Sequence, residues 1–141
     1  MKTSARNQFQ GTVSAIRKGA VNAEVDISLV GGQILTSQIT VPSLSALGLE
    51  AGSEVWALLK ASWVVLASGE AEPKVSARNR WKGVVSAVVP GAINSEVVVA
   101  LPGGQEVVAT VTNESVRELE LGVGAVAWAL FKAGSVILGT L

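Results

Sequence analysis

The sequence contains no histidine and no cysteine. Without thiols there are no disulfides, no thiolate metal sites and no cysteine nucleophile. Without imidazole the commonest general base is missing, as are zinc and copper sites built on histidine. Aromatic residues make up only 4% of the chain, and the charges balance, 11 basic against 11 acidic. There is thus no basic surplus of the kind that nucleic acids or anionic membranes select. No apolar run approaches the roughly 18 residues of a membrane-spanning helix. The first residues, Met1 to Gln8, carry no apolar export segment, and a cytoplasmic protein is expected.

What is present is a repeat. Ser4-Ala5-Arg6-Asn7 recurs unchanged as Ser76-Ala77-Arg78-Asn79, an offset of 76 − 4 = 72 that holds without a gap to the end of the chain. Residues 3–69 and 75–141 share 29 identities in 67 positions. A fixed period is the first thing to settle in any reading of a fold. Two copies of this length predict two small domains, 1–67 and 75–141. The polar Ser68-Gly69-Glu70-Ala71-Glu72-Pro73-Lys74 links them. Domains this small are marginal alone. With disulfides excluded and 49% of residues hydrophobic, association of repeat with repeat and chain with chain is expected.

Within the first copy, Phe9 to Ile16 reads as a strand, with Gly11 (twin Gly83) as the site of a bulge or bend. Val21, Ala23, Val25, Ile27 and Leu29 alternate with polar residues and mark the clearest strand. Gly31-Gly32 predicts a hairpin into a third strand ending at Val41. One or two helical turns follow from Pro42, with Thr40 or Ser43 as cap; the twin, Thr112 to Leu119, is more plainly helical. Val55–Lys60 and Trp63–Leu66 complete five strands, joined through Ala61-Ser62. The order β-β-β-α-β-β is that of an OB-fold, so the fold class is all-β with a short helix per repeat: two tandem OB-fold-like five-stranded barrels.

The polar residues that recur form a set of donors. Arg6 and Arg78 are either solvated or offer a planar fork to an oxyanion. Lys60 and Lys132 either solubilise a strand end or aim an ammonium into a pocket. Thr40/Ser43 and Thr112/Ser115 cap a helix start, and free hydroxyl and N–H groups there suit an anion. Nothing in the set polarises water, which fits a tetrahedral dianion bound without chemistry. Four or five charge-assisted hydrogen bonds, at roughly 1.5–3 kcal/mol each before dehydration, support a Kd on the order of micromolar. A second recurring patch, Gly19-Ala20-Val21-Asn22 and Gly91-Ala92-Ile93-Asn94, is a turn or an anion nest. Glu24 and Glu96 read as exposed strand residues or interface partners. Trp56, Trp63, Trp81 and Trp128 read as core or interface aromatics, not a base-stacking platform.

Ser-Ala-Arg-Asn, Gly11, Gly-Ala-x-Asn-x-Glu and the late Lys-Ala together resemble the molybdenum-pterin-binding-like (Mop) domain. Two tandem copies resemble the cytoplasmic di-Mop molbindins of the ModG type. The resemblance covers nearly the whole chain. It implies OB-type barrels, a homotrimer with six Mop domains in a pseudo-sixfold ring, and molybdate or tungstate bound between domains. It implies oxyanion ligands at Ser4, Arg6, Thr40, Ser43, Lys60 and Ala61, and at Ser76, Arg78, Thr112, Ser115, Lys132 and Ala133. A further site class near the threefold axis falls on Gly19, Ala20 and Asn22 and on Gly91, Ala92 and Asn94. The implied role is molybdenum storage or homeostasis without catalysis; the alternative from another class is an OB-fold nucleic-acid binder. The copies differ beside the lysines, where Lys60-Ala61-Ser62-Trp63 becomes Lys132-Ala133-Gly134-Ser135, so the two site types are expected to differ.

Overall fold

The computed structural model describes all 141 residues. Its first half runs β1 (Asn7–Lys18), β2 (Asn22–Leu29), β3 (Ile34–Thr40), α1 (Val41–Leu47), β4 (Glu54–Leu59) and β5 (Val65–Ser68). The second half repeats this as β6 (Asn79–Pro90), β7 (Asn94–Ala100), β8 (Glu106–Thr112), α2 (Asn113–Glu118), β9 (Val126–Phe131) and β10 (Ile137–Gly139). Each half therefore has the β-β-β-α-β-β order that the sequence predicts. No helix is long and apolar enough to cross a membrane.

Alternation makes the strands. In β2 the residues Ala23, Val25, Ile27 and Leu29 are buried while Glu24, Asp26 and Ser28 between them are half-exposed. Val21, at the head of that apolar series, lies before the strand and is exposed. Thr40 is the N-cap of α1: its hydroxyl accepts from the Ser43 N–H, and Gly48 closes the helix in the left-handed conformation. Thr112 caps α2 in the same way.

The bulge of the first strand lies past the glycine. Register shifts between Val13 and Ala15 in β1, and between Val85 and Ala87 in β6. Gly11 serves a close approach instead. A Cβ there would stand 2.6 Å from both an Ile27 methyl and the Ser28 carbonyl, so β2 folds against a backbone with no side chain in the way.

The two sheets cross the repeat boundary. One has the order β10-β4-β1-β2-β3 and the other β5-β9-β6-β7-β8. The fifth strand that Trp63–Leu66 predicts is present, shifted to Val65–Ser68, but it pairs with β9 of the other half, Val65 opposite Leu130. In return β10 pairs with β4, Ile137 opposite Leu58. The reason is local. Residues 60–64 carry a single 3-10 turn, Ala61–Trp63, entered and left in extended conformation at Lys60 and Val64. That is no reversing hairpin turn, so the chain runs on into its neighbour instead of folding back on β4. Each sheet curls until its borrowed strand lies beside its far edge, β10 near β3 and β5 near β8.

Exchange merges the interiors. A single cluster of 27 buried residues draws on both halves. At its centre the Trp81 ring stands edge-on to Phe9, 5.6 Å between centroids, and to Phe131, 4.9 Å away. The Trp81 indole N–H donates to the Ile34 carbonyl across the boundary. Of the four tryptophans only Trp81 is buried; Trp63 is 43% exposed.

Candidate functional site

The repeated Ser-Ala-Arg-Asn segment leads into β1 and β6, and its last residue is a clamp. Asn7 donates its amide to the Val108 carbonyl and accepts the Val108 N–H, both at 2.8 Å. Asn79 makes the same pair with Thr36 of the first half, also at 2.8 Å. Each asparagine thus satisfies an outer backbone position of the opposite half's third strand, and each is only 2% exposed. Neither stood among the ligands expected from the sequence. Their retention in both copies was visible, but a repeat cannot show which half a side chain serves.

One residue earlier, each arginine reaches the other half as well. Arg6 Nη1 meets a Glu96 carboxylate oxygen, and Arg78 Nη1 meets one of Glu24, both at 2.5 Å. Glu24 and Glu96 are therefore interface partners of the two arginines. The guanidinium groups remain about half exposed, at 54% and 50%. The two ends are not equivalent. Glu24 also accepts from Arg17 Nε at 3.1 Å. Arg17 in turn gives Nη1 and Nη2 to the two oxygens of Asp26, at 2.8 and 2.9 Å. The Thr36 hydroxyl donates to Asp26 as well. The Arg17 hydrogen bonds hold the Asp26 carboxyl below the usual carboxylate range, against a desolvation penalty, with smaller help from Thr36. Asp26, and next Glu24, push the Arg17 guanidinium up.

The hydroxyls form ordered pairs. Thr40 Oγ1 accepts from the Ser43 N–H and donates to Ser43 Oγ at 2.8 Å, which leaves the Ser43 O–H free to point a proton outward. Thr112 and Ser115 repeat this at 2.8 Å. The helices behind them have only seven and six residues, so it is hydroxyls more than helix ends that can serve an anion here.

The lysines sit where the chain crosses between halves. Lys60 Nζ lies 5.3 Å from the centre of the Trp63 ring. Lys132 and Ser76 line one cavity of about 420 Å³ together with Trp63, Val65, Phe131 and Ser135. Ala61 and Ala133 open the two 3-10 turns and are buried, whereas Ser4 and Ser76 are exposed.

Which of these donors meet is decided by the strand exchange. The Ala61–Trp63 turn packs on β8, which ends at Thr112, and the Ala133–Ser135 turn packs on β3, which ends at Thr40. The Ser37 hydroxyl anchors the second turn through the Val136 carbonyl at 3.0 Å. Arg6, Lys60 and Ala61 of the first copy thus lie on the β7–β8 pair of the second, and Arg78, Lys132 and Ala133 on β2–β3 of the first. The hydroxyl pairs stand further along. Thr112 is four residues past the Asn7 clamp at Val108, roughly 13 Å at about 3.3 Å per residue. No three acidic side chains gather as a cation site.

The second recurring patch is exposed throughout: Gly19, Ala20 and Asn22 at one end, Gly91, Ala92 and Asn94 at the other. The Gly19 and Gly91 N–H groups already donate to the Asn22 and Asn94 carbonyls at 2.8 Å, so the turn keeps for itself the first donor of a nest. Asn113 adds a bond to the Gly91 carbonyl in the second copy alone.

Set against known proteins, the chain matches the TOBE domain model twice, over residues 3–66 and 75–138. It is 44% identical to the molybdenum transport protein ModE of Herbaspirillum seropedicae over 138 residues, covering 98% of this chain and 51% of that protein. It is likewise 44% identical to the molybdenum-pterin-binding protein MopA of Rhodobacter capsulatus, covering 98% of this chain and 52% of that one. The chain thus spans about half the length of these curated relatives. Among solved structures it is similar to the cytoplasmic molybdate-binding protein ModG with molybdate bound, at 51% identity, full coverage of both chains and a TM-score of 0.96. Two matches to one model, in register with the internal repeat and confirmed by full-length structural similarity, make this chain a tandem member of the TOBE-domain family.

Proposed function

We propose that the protein binds molybdate, or tungstate, as an intact oxyanion in the cytoplasm, for storage or homeostasis of the metal. One observation carries the reading: similarity over the entire chain, at 51% identity and a TM-score of 0.96, to a molybdate-bound cytoplasmic protein. The donor set supports it. Two guanidinium groups, two ammonium groups and two hydroxyl pairs can replace a dianion's hydration shell through charge-assisted bonds. None of them is an acid–base pair for catalysis, so binding without turnover is the proposal. Sulfate carries the same charge, so discrimination rests on cavity size and hydrogen-bond reach.

The proposed ligands are Ser4, Arg6, Thr40, Ser43, Lys60 and Ala61 with their twins Ser76, Arg78, Thr112, Ser115, Lys132 and Ala133. Donors from one half lie on the strands of the other, so each set of sites draws on both halves. A homotrimer that rings six such domains would bring further copies' donors to the same anions. Exposed Val21, Ile93, Val65 and Ile137, in matching positions of the two copies, supply apolar surface for that association. Residues 19, 20 and 22, with 91, 92 and 94, are proposed for a second class of anion near the threefold axis.

Equilibrium dialysis against molybdate, with molybdenum content measured per chain and mass measured in solution, tests this. Retention of molybdate over sulfate is expected, with Arg6→Ala losing one set of sites and Arg78→Ala the other. No retention, or equal retention of sulfate, would discard the proposal.

A further inference from the structure

We propose that Arg17 is a positioning residue that makes the Arg78 oxyanion sites tighter than the Arg6 sites, so that the two halves fill in order. This rests on the oxyanion reading above and deepens it. Each candidate arginine is held through one nitrogen by a glutamate of the opposite half, Arg6 by Glu96 and Arg78 by Glu24. An incoming dianion must draw that guanidinium toward itself and away from the carboxylate, or bind beside the carboxylate's charge.

The cost of doing so differs at the two ends. Glu24 has a second cation, Arg17, on its other oxygen. When Arg78 turns to the ligand, Glu24 keeps that partner and its carboxylate stays fixed. Glu96 has no counterpart. Arg17 pairs with Glu24 across β1 and β2, and Val89 occupies the equivalent position opposite Glu96 across β6 and β7. The 72-residue offset also exchanges Asp26 for Val98 and Thr36 for Val108. The whole Arg17–Asp26–Thr36 network therefore exists at one end and is aliphatic at the other. Asp26 adds a negative charge there, but two Arg17 nitrogens already occupy it. Freeing Arg6 leaves Glu96 with no cationic partner, whereas freeing Arg78 leaves Glu24 hydrogen-bonded to Arg17.

Calorimetric titration of the full-length protein with molybdate tests the assignment. Wild type is expected to show two affinity classes, with Arg78→Ala removing the tighter and Arg6→Ala the weaker. Arg17→Gln is expected to weaken the tighter class about fivefold, the scale on which one partly exposed charge pair acts, and to leave the weaker class unmoved. Arg17→Lys, which restores the charge, is expected to recover part of the loss. The double change Val89→Arg with Val98→Asp, which builds the Arg–Asp part of the network at the other end, is expected to tighten the Arg6 class. An Arg17→Gln protein with both classes unchanged, or with both weakened alike, overturns the inference, as does loss of the tighter class in Arg6→Ala. A wild-type protein that takes up no molybdate sinks the oxyanion reading itself, a distinct result.

Discussion

Asn79 and Thr36 exchange two hydrogen bonds across the repeat boundary, amide to carbonyl and N–H to side-chain oxygen, inside a site closed to water. Asn7, equally buried, does the same with Val108, whose own position is partly exposed. Truncating either asparagine orphans a backbone N–H and a carbonyl, at about 1–3 kcal/mol each where water cannot reach. Asn79→Ala is therefore expected to destabilise by about 2–5 kcal/mol and Asn7→Ala by less, in urea denaturation of the two variants side by side. Equal losses would show that burial of the clamp does not set its worth.

Trp81 bridges Phe9 of one half and Phe131 of the other. With a core shared in this way, thermal unfolding is expected to be one cooperative transition for the whole chain. Trp81→Ala is expected to cost about 3–5 kcal/mol and still unfold in one step. Two separate transitions in wild-type calorimetry would contradict the merged core.

Residues 1–74 alone would keep β4 but lose β10, leaving that strand edge unpaired and β5 with nothing to join. Two such fragments can satisfy each other by exchanging β5 reciprocally. Sedimentation of this fragment is expected to show paired chains, as dimers or as larger assemblies of dimers, with separation of a pair coinciding with unfolding. A folded monomer would mean that β5 can turn back onto β4 after all.

The Asp26 carboxyl titrates below its unfolded value of about 4. A depressed folded pKa contributes stability that is complete above the unfolded value and lost as pH falls through the folded one. Wild type is therefore expected to lose stability on acidification below about pH 4, and Asp26→Asn to lose less over the same interval. Parallel acid-denaturation profiles for the two proteins would count against the Arg17–Asp26 pair as the cause.

Much of this was legible beforehand because it is local. The spacing of Ala23, Val25, Ile27 and Leu29 declares a strand whatever surrounds it, and a cap at Thr40 or Ser43 reads from its own neighbourhood. The 72-residue period declares two copies. What could not be read was the destination of each contact. A repeat makes Val65 equally suited to pair with Leu58 or with its twin Leu130, and only the straight passage through residues 60–64 decides. Glu24 and Glu96 could be read only as exposed strand residues or interface partners, not assigned to Arg78 and Arg6, because that pairing needs the exchange first. The bulge escaped for another reason: Gly11 and the shifted register after Val13 are close neighbours in one strand, and glycine advertises both a kink and a tight approach.

Because the last strand of each half belongs to the other, the construction has the symmetry of a homodimer whose subunits were joined end to end by residues 69–78. Two separate identical chains must carry every substitution twice. Once fused, one face can hold Arg17 and Asp26 while its mirror image keeps Val89 and Val98, so a single polypeptide made of duplicates is free to carry two unlike ends.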